Sequence, residues 1–315
     1  KTRLTLTTLV TLLVLLAPWA AFAMEYHHDE EALEKTLYKK QFSPFVDRNY
    51  PTRVFWGDQH LHTEISVDAG TMCRLGQEDA YRFARGEEVT STTGVRARLS
   101  RPLDWLAITD HSDGMGFIID ILAASPLVTN YEQGARWSKG FRAGGQEAVE
   151  ATLDMIQTFS QGKMDKEMFA NYSPGSRRYA TIWDDVIDYA EQFNDPGTFT
   201  AFIGFEWTAL VNGANLHRNV IFRDGADRAR QVVPFTTFPP MGSTDPLDLF
   251  KYLEDYEART NGAAMAFAHN GNLSNGIMFP VDAQYTGKKL DKFYVEQRAK
   301  WERMYEITQI KGDGE

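Results

Sequence analysis

The sequence predicts an α/β protein with largely parallel strands and an inserted block of helices. Three observations carry this. Short apolar runs alternate with stretches of helical periodicity, the pattern of strands joined by crossover helices. Several of those runs end abruptly in a histidine or a carboxylate. One stretch, 112–195, breaks the alternation with helical patterns alone and is too long for a loop. The 315 residues are 43% hydrophobic and 24% charged, enough to bury a sizeable core. This excludes collagen-like, low-complexity and wholly disordered chains. The net charge of −10 and the lack of a basic cluster argue against a nucleic-acid partner. Cys73, the single cysteine, excludes an intrachain disulfide and a thiolate-only metal site.

The N-terminal segment reads as a secretory signal peptide, residues 1–23. Lys1 and Arg3 precede an apolar stretch from Leu4 to Ala17, Pro18 interrupts it, and Ala21-Phe22-Ala23 is a small-x-small cleavage signal. The alternative is an uncleaved anchor, since residues 4–24 are uncharged. Cleavage places the protein in the periplasm or outside the cell, without stable membrane insertion. A polar leader, 24–50, follows, and the body occupies 51–315. Expected strands are 53–56, 103–109, 199–205, 219–222, 263–268 and 303–307. Expected helices are 77–85, several segments between 131 and 193, 246–259, and a short one near Glu296. Tyr179, Ile182, Trp183, Val186, Ala190 and Phe193 share one helical face, which reads as a core stripe. The helical insert carries no chemical motif; it either packs over the exterior or caps access to a site.

Of seven histidines, His27 and His28 sit beside the cleavage signal and read as solvated. The other five lie at or near strand ends. In Asp58-Gln59-His60-Leu61-His62, alternate residues of an extended segment face one way, so Asp58, His60 and His62 converge. Two imidazoles so spaced can chelate a divalent metal. Asp68 either returns a carboxylate to that site or caps the helix after it. At Thr109-Asp110-His111, an apolar strand runs into two polar groups, the place where parallel α/β proteins gather their chemistry. Asp110 ligates metal, orients an imidazole or assists proton transfer, or else it is a simple cap.

Glu206 ends an apolar run, and a buried carboxylate needs a cation or several donors. Asn212-Gly213 signals a tight hairpin. If that turn has two residues, Glu206 opposes Asn219 and lies diagonal to His217, roughly 7–8 Å away along the backbone. Arg218 is then a candidate clamp for an anionic substrate, or a partner for a surface carboxylate. His269 follows another apolar strand, with Asn270 and Asn272 as amides able to hold a ligand oxygen. Cys73 is a buried small residue or a reactive thiol near Asp68. So many nitrogen and oxygen donors exceed the needs of one ion and suit Zn, Mn or Fe.

Taken in order, Asp58-Gln59-His60-Leu61-His62-Thr63 with Ser66 and Asp68, Thr109-Asp110-His111, Glu206 eleven residues before His217, and the isolated His269 resemble the motifs of the polymerase and histidinol phosphatase (PHP) superfamily. Gly57-Asp58-Gln59-His60, the segment Asp79 to Gly86, and Phe205-Glu206-Trp207 resemble more closely a secreted bacterial subgroup known only as a domain of unknown function.

The resemblance implies a distorted (β/α)7 barrel with two or three divalent ions. It implies His60, His62, Asp68, His111, Glu206, His217 and His269 as ligands, with Glu206 bridging. It implies a phosphoesterase that uses a metal-bound hydroxide on a small anionic substrate; from the residues themselves, Asp110 and Arg218 are expected to assist and Arg218 and Asn270 to bind that substrate. Cleavage of an amide, ester or sulfate ester, and a non-catalytic metal-binding module, are the competing expectations. The spacing from His62 to Asp68 is one residue longer than the superfamily's commonest pattern, and its last Asp-x-His motif is absent. About six strands are visible rather than seven, so the barrel is expected to be incomplete at the C-terminus.

Overall fold

A computed structural model describes residues 53–314. The expected signal peptide and leader lie outside these residues. Every element below lies in one compact unit that begins at Phe55.

β1 (Gly57–Leu61) leads through a helical turn, α1 (Val67–Gly70), into α2 (Gln77–Ala84). A small ribbon, β2 (Val89–Thr90) with β3 (Arg96–Ala97), precedes β4 (Trp105–Ile108). Six helices follow: α3 (Phe117–Leu122), α4 (Pro126–Thr129), α5 (Glu132–Ala143), α6 (Gly145–Ser160), α7 (Lys166–Ala170) and α8 (Arg177–Phe193). β5 (Thr200–Trp207) runs into the ribbon of β6 (Leu210–Val211) and β7 (Ala214–Asn215), which returns the chain along β8 (Arg218–Phe222). Then come α9 (Ala226–Ala229), α10 (Pro246–Thr260), β9 (Ala264–Ala268) and α11 (Lys292–Trp301). β10 (Met304–Tyr305) and the hairpin of β11 (Thr308–Gln309) and β12 (Gly312–Asp313) complete the described chain.

The fold is mixed α/β. Its main sheet has six strands in the order β1-β4-β5-β8-β9-β10 and curls into a half-barrel. The Asn219 amide donates across the concave side to the Gln59 carbonyl at 3.3 Å, although β8 and β1 are not neighbours. Five strands point one way and β8 alone runs antiparallel to its neighbours. The reversal comes from the Asn212-Gly213 turn, where both residues hold positive φ (50° and 82°), as a two-residue hairpin requires. The register is the expected one, with Val211 opposite Ala214 and Glu206 opposite Asn219.

Alternate strand residues face opposite sides. On the convex side, Ile203, Phe205, Val220 and Phe222 join the main core with Trp183, Val186 and Ile187 of α8 and Leu249, Phe250 and Leu253 of α10. Each such buried side chain contributes roughly 1.5–3 kcal/mol. The whole expected stripe of α8 is buried, and Ser176 caps that helix by accepting the Tyr179 N–H. On the concave side, Ala107, Ile221 and Phe267 form a small apolar plug with Phe202 and Met265.

Two boundaries are corrected. The first strand is Gly57–Leu61, not 53–56, and it carries His60, with His62 just beyond its end. Its concave face is polar, so apolar content pointed to the wrong residues. The insert is also shorter than 112–195. Phe117, Ile121, Trp137, Met155, Met168 and Tyr172, from α3 to just beyond α7, form a core of their own, whereas α8 packs on the sheet. Among the described residues, no helix is long and apolar enough to cross a membrane.

Candidate metal centre

Five strands deliver polar residues to one end of the half-barrel. His60 lies in β1 and His62 just beyond it, His111 follows β4, Glu206 is in β5, and His269 follows β9. His217 precedes β8, but because β8 is reversed its start lies at that same end. The backbones of His111 and Glu206 bridge there as well.

Glu206 is fully buried at the middle of this group. Its Oε1 lies 2.8 Å from Nδ1 of His217 and 3.6 Å from Nε2 of His111. Its Oε2 lies 2.9 Å from Nε2 of His62 and 3.3 Å from Nε2 of both His60 and His269. These contacts are close, yet neither carboxylate oxygen receives an aligned hydrogen bond. The facing nitrogens of His62, His111, His217 and His269 are likewise buried without a hydrogen-bond partner. Lone pairs that converge on common points rather than on one another are what metal ligands require, and orphaned buried polar groups are otherwise costly. The donor set, imidazole with carboxylate and no thiolate, suits Zn, Mn or Fe.

Four overlapping triads have donor atoms within 4.8 Å: His60, His62 and Glu206; His62, Asp68 and His111; Glu206, His217 and His269; and His60, His269 and Glu306. Glu206 belongs to two of them, the position of a bridging carboxylate. All seven expected ligands are therefore brought together. Two of the imidazoles are also backed by a carboxylate. Nδ1 of His62 donates to Asp68 at 3.0 Å, and Nδ1 of His60 donates to Glu306 at 2.9 Å, which aims both Nε2 atoms inward.

The electrostatics follow from burial and crowding. Burial alone would raise the Glu206 carboxyl, but His269, His111, His217 and His62 together hold it well below its usual range. Burial opposes a charge on His62 too, yet Glu206 and Asp68 outweigh it and push that imidazole up to about 10. Burial wins at His111 and His269 and pulls both down to about 4. Asp68 is held below its usual range, against the effect of its burial, by His111, His62 and Lys311.

Three expected roles are corrected, together with that of Asp58. Arg218 does not reach the centre. It lies on the convex face, wholly buried, with Nε donating to Glu302 at 2.6 Å and Nη1 to the Leu216 carbonyl at 2.5 Å, beside the Trp207 ring. It is a structural ion pair and no anion clamp. Asp110 points away from the imidazoles as well. Its Oδ1 accepts from the Thr63 N–H and the Ser66 hydroxyl at 2.7 Å each, and its Oδ2 accepts from the Thr63 hydroxyl at 2.7 Å. It pins the loop after β1, and Ser66 in turn accepts the His111 N–H at 2.8 Å. Asp110 thus positions ligands without touching the centre. Asn270 spends its amide on Asn272 and Gln309 rather than presenting it to a ligand. Asp58, expected to converge with His60 and His62, accepts the His60 N–H at 2.8 Å where the β1 register shifts, and it belongs to none of the triads. Cys73 is half-buried and likewise in none of them.

Sequence reasoning missed Glu306, Asp113 and Lys311. Glu306 follows an apolar strand as Glu206 ends one, and the same rule would have found it had the strand not been drawn through it. Asp113 is pushed up to about 7 by burial, against the hydrogen bond it accepts from the Thr237 N–H; its Oδ2 has no hydrogen-bond partner. Lys311, in the turn between β11 and β12, reaches Asp68 at 3.3 Å. The centre opens on two cavities. One of about 570 Å³ includes Asp68, His111, Asp113 and His217 in its wall. The other, about 510 Å³, includes His60, His62, Asp68 and Glu306. Lys311 borders both.

No curated protein and no solved structure matches the chain. One family model, described as a protein of unknown function (DUF3604), matches residues 49–315, the whole of the body that carries the centre. The chain belongs to the DUF3604 family.

Proposed function

We propose that the protein is a secreted or periplasmic metal-dependent hydrolase of phosphate esters. The observation that carries this reading is Glu206, a fully buried carboxylate whose two oxygens face five imidazoles without an aligned hydrogen bond. Such a group needs positive charge close by, which bound cations would add to that of the imidazoles. His60, His62, His111, His217, His269, Asp68 and Glu206 would hold two or three divalent ions. Bound there, Zn, Mn or Fe would supply Lewis acidity and activate water for attack on an ester.

The chain's own residues do the rest. Asp68 and Glu306 hold the His62 and His60 rings in one orientation. Asp110 and Ser66 fix the loop that carries Asp68 and the backbone of His111. Lys311, two-fifths exposed at the rim of both cavities, offers a positive charge to a small anionic substrate. The two openings favour a catalytic centre over a closed structural one, which needs no access. The curled sheet, with His60 of its first strand meeting Glu306 beyond its last, supports a distorted (β/α)7 barrel of the PHP type. The apolar N-terminal stretch with its small-residue cleavage signal supports export.

The test is turnover of p-nitrophenyl phosphate and its diester by protein whose Zn or Mn content has been measured. We expect two or more ions per chain and hydrolysis that Glu206→Gln lowers by about a thousandfold, the equivalent of several kcal/mol of lost charge stabilisation. Folded, metal-loaded protein that cleaves neither ester would overturn the substrate class.

A further inference from the structure

The larger cavity is chemically two-sided. At one end stand Asp68, His111 and His217 of the candidate centre. The opposite wall comes from the helical insert: Met155, Ile156 and Phe159 of α6, then Met164, and Phe169 of α7. These residues are not left over from the insert's own packing. Met155, Met164 and Phe169 are at least nine-tenths buried within its core, and Phe159 packs against that core. The insert thus has a complete apolar interior and still turns an apolar wall toward the polar centre. Only Thr152 interrupts that wall, and its hydroxyl is spent on the Ala148 carbonyl at 2.8 Å. Along this wall a sugar or polyol would find no partners, although Asp113, Thr208, Asn215, Asn272 and Asn275 also line the cavity. About 570 Å³ is ample for a bicyclic aromatic or a branched alkyl group. Lys311 lines the same cavity and reaches Asp68 of the centre at 3.3 Å, placed for the anionic head of the same molecule.

We propose that the insert wall is the specificity pocket for a bulky apolar group, so that the substrate is an amphiphilic anionic ester, its anionic head at Lys311 and the metal ligands, its apolar part against α6 and α7. This rests on the hydrolase reading above and names the substrate class of that same centre.

The probes are naphthylmethylphosphonate and methylphosphonate, which share an anionic head but carry a P–C bond in place of the scissile ester. Their affinities for metal-loaded protein are measured by calorimetry, so no turnover is needed. We expect the naphthyl probe to bind on the order of 100-fold more tightly, as a matched apolar pocket allows. Thr152→Trp, which fills the pocket, and Ile156→Arg, which charges its half-exposed rim, should each cut that ratio below about tenfold. Circular dichroism and metal content establish that each variant is folded and loaded. Equal affinity for the two probes, binding of neither, or a ratio that survives in a folded variant would overturn the proposal. A high ratio in protein that hydrolyses no phosphate ester would instead refute the hydrolase reading and leave the pocket standing.

Discussion

Two buried charge clusters sit on opposite faces of the same sheet, and they solve the problem of burial differently. On the convex face, Glu302 accepts Nε of Arg218 at 2.6 Å through one oxygen and Nε of Arg298 at 2.5 Å through the other. Both guanidiniums hold that carboxyl below its ordinary range against the effect of its burial. Only Nη2 of Arg218 lacks a partner. On the concave face, Glu206 has five imidazoles around it and no aligned hydrogen bond to either oxygen. The first cluster is complete within the chain; the second leaves its facing donor atoms without aligned partners, an arrangement that could hold cations. Proximity of opposite charges is common to both, so it is the direction of the donor atoms that separates a structural ion pair from a binding centre.

The largest effect that separates them is on folding. Removing one partner of a buried pair leaves an uncompensated charge, and Arg218→Met should cost about 3 kcal/mol, the low end of the usual range because Arg298 remains on Glu302. Metal per folded chain should not change. Glu206→Gln should act on the metal instead, losing at least one ion per chain. Urea denaturation paired with elemental analysis reads both. An Arg218→Met protein of normal stability with impaired anion binding would return that residue to the centre.

A smaller effect tests the carboxylates that stand behind the ligands. Glu306 holds His60 through Nδ1, an arrangement whose loss generally weakens metal affinity by about 10–100-fold. Glu306→Gln should do so in competition with a chromogenic chelator, with little change in metal-free stability. An unaltered affinity would mean that His60 is oriented by packing alone.

The same contrast shows what the sequence could reveal. His111, Glu206 and His269 were legible because each marks a place where an apolar strand ends in a polar residue, a strong signal in a fold that gathers chemistry at one end of its sheet, whereas His60 and His62 were legible from their alternation. The hairpin register was legible because Asn212-Gly213 admits one geometry. Arg218 and Asp110 were misread for a common reason. Each is the immediate neighbour of a ligand, His217 and His111, and adjacent residues of extended chain point to opposite faces. The alternation used to join His60 with His62 already places both neighbours outside. Asn270 differs, because its left-handed backbone (φ 54°) ends the strand there and redirects its side chain. Asp58 was lost to a register shift in β1. Glu302, the partner of Arg218, is 84 residues away, and nothing local in the sequence links the two.

The finest distinction between the clusters is their response to acid. Glu302 has its folded-state value lowered. Its contribution is therefore present in full above the unfolded carboxyl's value, about 4.3, and is lost as pH falls through the lower folded one. A glutamine does not titrate. The stability gap between wild type and Glu302→Gln should be constant from pH 7 to about 5 and then narrow, by at most about 1.4 kcal/mol per pH unit for one proton. The concave cluster titrates in both proteins and cancels from the difference, provided both are measured free of metal. Denaturation midpoints collected between pH 7 and 3 decide it. A gap that holds steady or widens below pH 4 would show that the Glu302 charge is not what the two arginines stabilise, and the contrast between a self-sufficient convex pair and an incomplete concave centre would lose its electrostatic basis.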